Sequence, residues 1–440
     1  MHRLTKLGVV ACGILAAACA SNSTDGAGAV SEVVALFDGE TLDGWVNVNG
    51  APSTWTVRDG MLICSGKPTG VLRTEEMYTN FELEFEYRHM QKGGNAGLFV
   101  WSDPLPTTGW PFTRSVEVQI LDDLMTPNYT CHGDIFAIWG ATMVPDRPHP
   151  AGWERCLPSE HRAHPAGEWN HYRVRALDGR IELAVNGEVV SGGSQISPRR
   201  GYLCIESEGS EVHFRGLTLT RLAGTEPSPE HTASEAEGFR TLYDGVSLAG
   251  WREDPELEGH WTPRDSVLGY DGKGGDLWTT EEYGDFELIV DWRWTADPVE
   301  HALPLIAANG DALIDSSGNP RTKSVPDAGD SGIYLRGNSK SQVNIWCWPI
   351  GSGEVYGYRT DASQSAEVRA GVTPRVAADA PIGEWNRLRI RMQGDRLTVH
   401  LNGQLVLDRA QLPGVPARGP IGLQHHEAPI DFTNLYVREL

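Results

Sequence analysis

The sequence predicts an all-β chain of two tandem β-sandwich domains, on three observations: a long internal duplication, side-chain alternation with a period of two, and many glycine-bearing turns. LFDGETLDGW at 36–45 returns as LYDGVSLAGW at 242–251, and WTVRDGMLICSG from Trp55 returns as WTPRDSVLGYDG from Trp261. RTEEMYTNFEL from Arg73 becomes TTEEYGDFEL from Thr279, and GEWNHYRV from Gly167 becomes GEWNRLRI from Gly383. The closing RGYLCIESEGSEVHFRGLTL from Arg200 corresponds to RGPIGLQHHEAPIDFTNLYV from Arg418. A unit of about 200 residues is too long for a solenoid repeat, so a whole domain has been duplicated. Within each copy, runs such as Phe81 to Tyr87 and Arg180 to Val185 alternate apolar and polar, the pattern of a strand with one buried face. Asp59-Gly60, Asp178-Gly179, Asn186-Gly187 and Asn402-Gly403 supply the positive φ of tight hairpins. No long amphipathic helix is present in the pattern.

Taken from the start, His2, Arg3 and Lys6 precede an apolar run from Leu7 to Ala18 that stops at Cys19, the layout of a secretory signal peptide too short to span a bilayer. Leu15 to Cys19 resembles a lipobox, which implies that Cys19 becomes the lipidated first residue of the mature protein, residues 1–19 being the signal peptide with its lipobox; residues 20–32, rich in Ser and Gly, read as a flexible tether. The first domain is assigned to 33–222 and the second to 239–440. Between them, 223–238 holds two prolines, four acidic residues and few large apolar side chains, and reads as a linker. Ala20 and Ser21, with no Asp after the cysteine, favour the outer membrane of a Gram-negative cell or its periplasmic face. A net charge of -22 argues against nucleic acid as a partner. Five cysteines follow the signal without a CxxC pair; Cys131 and Cys156, flanking one long loop, are the expected pair if a disulfide forms.

The opening LFDG-x-x-L-x-GW, the TEE-x-Y strand leading to FEL, the GEWN strand, the NG hairpin and the closing LQHH strand, most of them repeated in order, resemble the 3-keto-disaccharide hydrolase family. The resemblance covers nearly all of both copies. It implies a concanavalin-like jelly roll and an enzyme that cleaves glycosides whose glucose carries a ketone at carbon 3. Such a ketone acidifies the C2 proton, so the C1 substituent can leave by elimination, after which water adds to the enone. That chemistry needs a base, a holder for the enolate oxygen and an acid.

Strand alternation supplies the candidates. Glu117 and Gln119 share one face of the Ser115–Asp122 run, with Val116, Val118 and Ile120 on the other; that polar row is either a solvated outer face or the lining of a sugar cleft. In the second copy Gln342, Asn344, Trp346 and Trp348 fall together, amides beside stacking surfaces. One strand earlier, Asn95, Gly97, Phe99 and Trp101 match Asp330, Gly332, Tyr334 and Arg336. A mid-strand glycine means either close approach of a ligand or a bulge with tight packing. Gln424-His425-His426 stands where the first copy has Glu206-Ser207-Glu208, so the two copies differ in proton chemistry. The expected acid/base groups are Glu117, Asp122 and His132 in the first copy and Asp330, His425 and His426 in the second. Asn95, Gln119, Trp101, Trp139, Glu206, Arg336, Gln342, Asn344, Trp346, Trp348 and Gln424 are the expected sugar contacts.

The residues single out no certain cofactor. A divalent metal on His425, His426 and Asp330 is the alternative, although their spacing is not an ordinary ligand set. The first copy carries an insertion from Tyr129 to Pro165 with several histidines, the second one at 296–328, so each would cover its sheet differently. Two other readings compete: a non-catalytic carbohydrate-binding protein, and a conventional glycosidase with paired carboxylates about 5 to 9.5 Å apart.

Overall fold

The computed structural model describes residues 33–122, 132–236 and 238–440. The signal segment, Cys19, the tether and Cys131 lie outside the described residues. Among those described, each copy is a pair of antiparallel sheets. The first pairs a nine-stranded sheet with a seven-stranded one; the second pairs eight strands with four, plus a two-stranded hairpin. That hairpin, Val299–Pro304 with Thr322–Asp327, is what the 296–328 insertion becomes, and it is largely exposed. The α-helices among the described residues are two short ones, Tyr356–Arg359 and Ala366–Gly371.

Alternation explains the cores. Phe81–His89 buries every second residue, and Phe81, Leu83, Phe85 and Tyr87 join Val116, Val118 and Ile120 from the facing sheet. Its counterpart Phe286–Trp294 is buried almost throughout. The outward residues Ile289 and Asp291 of that strand meet the first copy instead of water, while Glu287 pairs with Arg389 and Arg438 of its own copy. Val71, Phe99, Tyr202 and Cys204, on the outward face of the seven-stranded sheet, pack against Ile289 and Tyr436 of the second copy.

Polar contacts lock this junction. Asp291 accepts from Arg387 at 2.6 and 2.7 Å, from Asn434 at 2.8 Å and from the Gly109 N–H at 2.8 Å. Arg387 and Asn434 also donate to the carbonyls of Pro106, Thr107 and Trp110. The connecting segment, read as a linker from its composition, lies along the first copy: the Thr225 N–H donates to Asp178, and the Ala233 N–H to the Arg200 carbonyl. Cys64, Cys156, Cys204 and Cys347 are free thiols, so Cys156 does not carry the expected disulfide; its Sγ donates to the Leu157 carbonyl.

Candidate active site

Each copy builds the same four-residue constellation around one glycine. In the first, Gly97 lies opposite Gln119, and Phe99 opposite Glu117. In the second, Gly332 lies opposite Asn344, and Tyr334 opposite Gln342. A Cβ at Gly97 would come 2.9 Å from both Glu117 Oε1 and Glu206 Oε2, and one at Gly332 would strike the Gln342 amide. The glycine is therefore explained by side chains closing over the strand from both neighbours, not by a bulge.

In the first copy the closing side chains are carboxyls. Glu117 and Glu206 are buried, which excludes the solvated-outer-face reading of that row. Burial, then the nearby Glu208, pushes Glu117 up to about 8, while burial and Glu117 hold Glu206 well above the carboxylate range. Asn95 donates its amide to Glu208, and Gln119 donates to Asn95 Oδ1 at 2.9 Å. Arg155 pairs with the buried Asp134 and lies over the Phe136 ring. Glu117 also has Phe99, part of the inter-copy contact, as its cross-strand neighbour. This cluster holds buried, largely protonated acids on the same sheet face as Phe99.

In the second copy amides replace the carboxyls. Gln342 donates to Gln424 across Gly332, and the Gln424 N–H donates to the Gly332 carbonyl at 2.9 Å. At the positions of Asn95 and Glu208 stand Asp330 and His426, with His426 Nε2 4.0 Å from Asp330 Oδ2. Burial raises Asp330 to about 6 against the opposing pull of His426. His426 is exposed. Asp330 Oδ1 and Asn344 Oδ1 are buried without a hydrogen-bond partner among the described residues. Beside them Trp278 stacks on Tyr334, ring centroids 5.1 Å apart and planes 9° from parallel. An open acid/base pair, free amide oxygen and flat aromatic surface share this face.

Several expected residues lie elsewhere. Trp101 and Arg336 occupy equivalent positions with φ of 56° and 53°, which breaks the strand alternation and turns both inward. Trp101 is a core residue whose Nε1 donates to the Thr79 carbonyl; Arg336 Nε donates to the corresponding Gly284 carbonyl. Neither is placed to meet a sugar. His425 hydrogen-bonds the Tyr270 hydroxyl, and its N–H donates to Asp276, so it does not gather with Asp330 and His426 into a three-ligand set. Trp139 stacks against Trp110 at the groove between the copies.

Asp122 and His132 are separated from the Glu117 cluster. They line a cavity of about 320 Å³ at the end of the first sandwich, with Lys92, His161 and His164. His132 Nδ1 hydrogen-bonds the Tyr87 hydroxyl at 2.7 Å, and Nε2 lies 3.5 Å from Asp122 Oδ1. The hydrogen bond from His132 lowers Asp122, while burial lowers His132. Trp346 and Trp348 stack face to face at 4.3 Å and line a cavity at the end of the second sandwich. Sequence reasoning passed over Trp278 and Asp276; Trp278 sits just before the repeated TTEE motif, which was its available signal.

The sequence matches the 3-keto-alpha-glucoside-1,2-lyase-like domain over residues 32–220 and again over 238–438. No curated protein matches the chain significantly. Among solved structures, a candidate glycosyl hydrolase from Parabacteroides distasonis is 23% identical over 43% of this chain and 94% of its own, with a TM-score of 0.34. The carbohydrate-binding module CBM66 from Bacillus subtilis is 13% identical over 40% of this chain and 95% of its own, TM-score 0.29. A β-glucanase from Bacillus licheniformis is 10% identical over 44% and 98%, TM-score 0.28.

Proposed function

The chain belongs to the 3-keto-alpha-glucoside-1,2-lyase-like family, in two tandem copies, and on that premise we propose that its second copy cleaves 3-keto-glycosides. The observation that carries this reading is the Asp330–His426 pair, open to solvent beside the Trp278–Tyr334 surface. Asp330 as carboxylate takes the C2 proton that the C3 ketone has made acidic. Electrons left on C2 form the enolate, whose oxygen is held by the neighbouring amides and hydroxyl of Asn344, Gln424 and Tyr334. The C1–O bond then breaks, and the leaving oxygen takes a proton from His426. Water adds to C1 of the enone while C2 regains a proton, giving free 3-keto-glucose. Trp278 and Tyr334 offer a stacking surface for the pyranose.

Burial of Glu117 and Glu206 weighs against the conventional glycosidase reading, because a paired-carboxylate mechanism needs both groups in contact with substrate and one of them ionised. Export and anchoring through a lipidated Cys19 belong to the same proposal and are supported by the apolar run and lipobox-like residues. Incorporation of labelled palmitate into the chain, lost in Cys19→Ala, tests that part.

Activity is tested by offering the protein a 3-keto-glucoside and its unoxidised parent. Free 3-keto-glucose from the oxidised substrate alone, lost in Asp330→Asn, is the expected result. Cleavage of the parent would favour a conventional glycosidase, and binding without cleavage a carbohydrate-binding protein.

A further inference from the structure

The cavity at the end of the second sandwich has a volume of about 300 Å³ and is lined by Trp292, Trp294, Trp346, Trp348 and Asp379. It adjoins the Asp330 site. Trp346 lies directly opposite Asp330 in the ladder, and Gly329, the residue before Asp330, would place a Cβ 3.2 Å from the Trp294 ring. A group leaving C1 of a sugar held at Asp330 and His426 has this cavity beside it.

Three polar atoms of its lining residues are unmatched among the described residues. Trp292 and Trp294 are 1% and 3% exposed, and both indole N–H groups lack an acceptor among the described residues. Asp379 accepts from the Ser352 N–H through Oδ2, while its buried Oδ1 has no partner among the described residues. Leaving a buried donor or acceptor unmade costs about 1–3 kcal/mol, so three around one cavity call for a common partner. The equivalent side chains of the first copy each make one hydrogen bond, although His89 Nδ1 is left without a partner among the described residues. Tyr87 faces Asn170 there as Trp292 faces Asn386 here. Tyr87 reaches His132, and His89, at the position of Trp294, reaches the Ile120 carbonyl.

We propose that this tryptophan-lined cavity is the leaving-group subsite of the second copy and takes a planar aromatic aglycone bearing one or two hydrogen-bonding substituents. The inference rests on the reading of Asp330 and His426 as the cleavage site. Trp348 presents flat apolar surface, backed at 5° from parallel by the buried Trp346, which is fixed by donation to the Gly351 carbonyl, and Trp292 and Trp294 wall the cavity behind them. The volume suits a one- or two-ring group. A second pyranose would bring more hydroxyls than two indole donors and one carboxyl oxygen can satisfy, whereas a phenol matches them.

The test uses the full chain with 4-nitrophenol, whose binding is followed by calorimetry, and with 4-nitrophenyl and methyl 3-keto-glucosides. 4-Nitrophenol should bind the unmutated protein and His426→Ala alike, about tenfold more weakly to Trp294→Phe, which keeps the ring and loses one donor, and not measurably to Trp348→Ala. The preference in kcat/KM for the aryl over the methyl substrate should collapse in Trp348→Ala while the methyl substrate is cleaved as before. No binding of 4-nitrophenol, or equal binding to all four proteins, overturns the subsite. Binding that follows the tryptophans without cleavage of either substrate would retain the subsite and discard the cleavage reading.

Discussion

Glu117 and Glu206 face each other across Gly97 at the place where Gln342 and Gln424 share a hydrogen bond across Gly332. Two carboxyls in one copy have become two amides in the other on the same strand pair. Asn95 and Glu208 have likewise become Asp330 and His426. The duplication kept the backbone that aims four side chains at one point and exchanged every one of them. In the first copy three of the four are acids, and burial keeps Glu117 and Glu206 protonated; in the second the only acid is beside an exposed imidazole.

That exchange predicts a stability effect with a defined sign. Glu117 and Glu206 have folded-state pKa values raised above the ordinary carboxylate range. The folded chain therefore holds protons that the unfolded chain has released. The stability this gives is fully present below the unfolded carboxylate pKa and is lost as pH rises through the folded value near 8. Glu117→Gln with Glu206→Gln, the pair the second copy already uses, removes this loss. Thermal melts should show the double variant equal to the unmutated protein near pH 4 and stabilised at pH 8 by at least about 1 kcal/mol, roughly 2–4 °C. A variant that melts lower at pH 8 would contradict the assignment.

Asp330 predicts the acid limb of the activity profile. Its pKa of about 6 means that the carboxylate needed to take the C2 proton appears as pH rises through 6, so kcat/KM on a 3-keto-glucoside should climb between pH 5 and 7. Asp330→Asn should lose about 10²–10⁴-fold in kcat and with it the rise near pH 6. An unchanged limb in that variant would assign the base elsewhere.

Alternation made the cores legible: the Val116, Val118 and Ile120 face is in the interior as its period requires. It misplaced Trp101 and Arg336, because a single residue at positive φ reverses the facing of its strand and nothing in either side chain announces it. The first copy's polar row was legible as a row, but not its burial, because the residues that close around it, Asn95, Arg155 and Glu206, come from other strands. Asp122 and His132 were legible as chemistry and not as location, since their position beyond the strand end is set by the insertion's path.

Arg336 carries a prediction of its own. Its guanidinium donates to the carbonyls of Gly284, Gly394 and Pro416 and to Asp285, joining three loops at one end of the second sandwich. Arg336→Ala removes all four bonds and should cost about 3–5 kcal/mol, read as a lowered melting temperature. Arg336→Lys should recover little, because a single ammonium cannot reach around the same fork. A loss of sugar affinity without loss of stability would return Arg336 to the binding surface.

The junction between the copies gives the sharpest contrast between equivalent positions. Asp291 and Glu86 occupy the same place in their repeats, each bonded to an arginine: Asp291 to Arg387, Glu86 to Arg215 at 2.7 Å. Glu86 and Arg215 are partly exposed, a setting in which an ion pair is worth about 0–1 kcal/mol. Asp291 is fully buried and also holds Asn434 and the Gly109 N–H. Asp291→Ala leaves Arg387 without its carboxylate inside the contact and frees the loop that bears Gly109, at a cost of about 3–5 kcal/mol. Calorimetry should then show the single transition expected of two mutually buried sandwiches split into two, whereas Glu86→Ala shifts the melt little and leaves it single. If Asp291→Ala melts as one transition at the unmutated temperature, the two copies do not depend on this contact and the covering of Phe99 is held by the apolar surface with the remaining polar contacts of Arg387, Asn434 and Asp265.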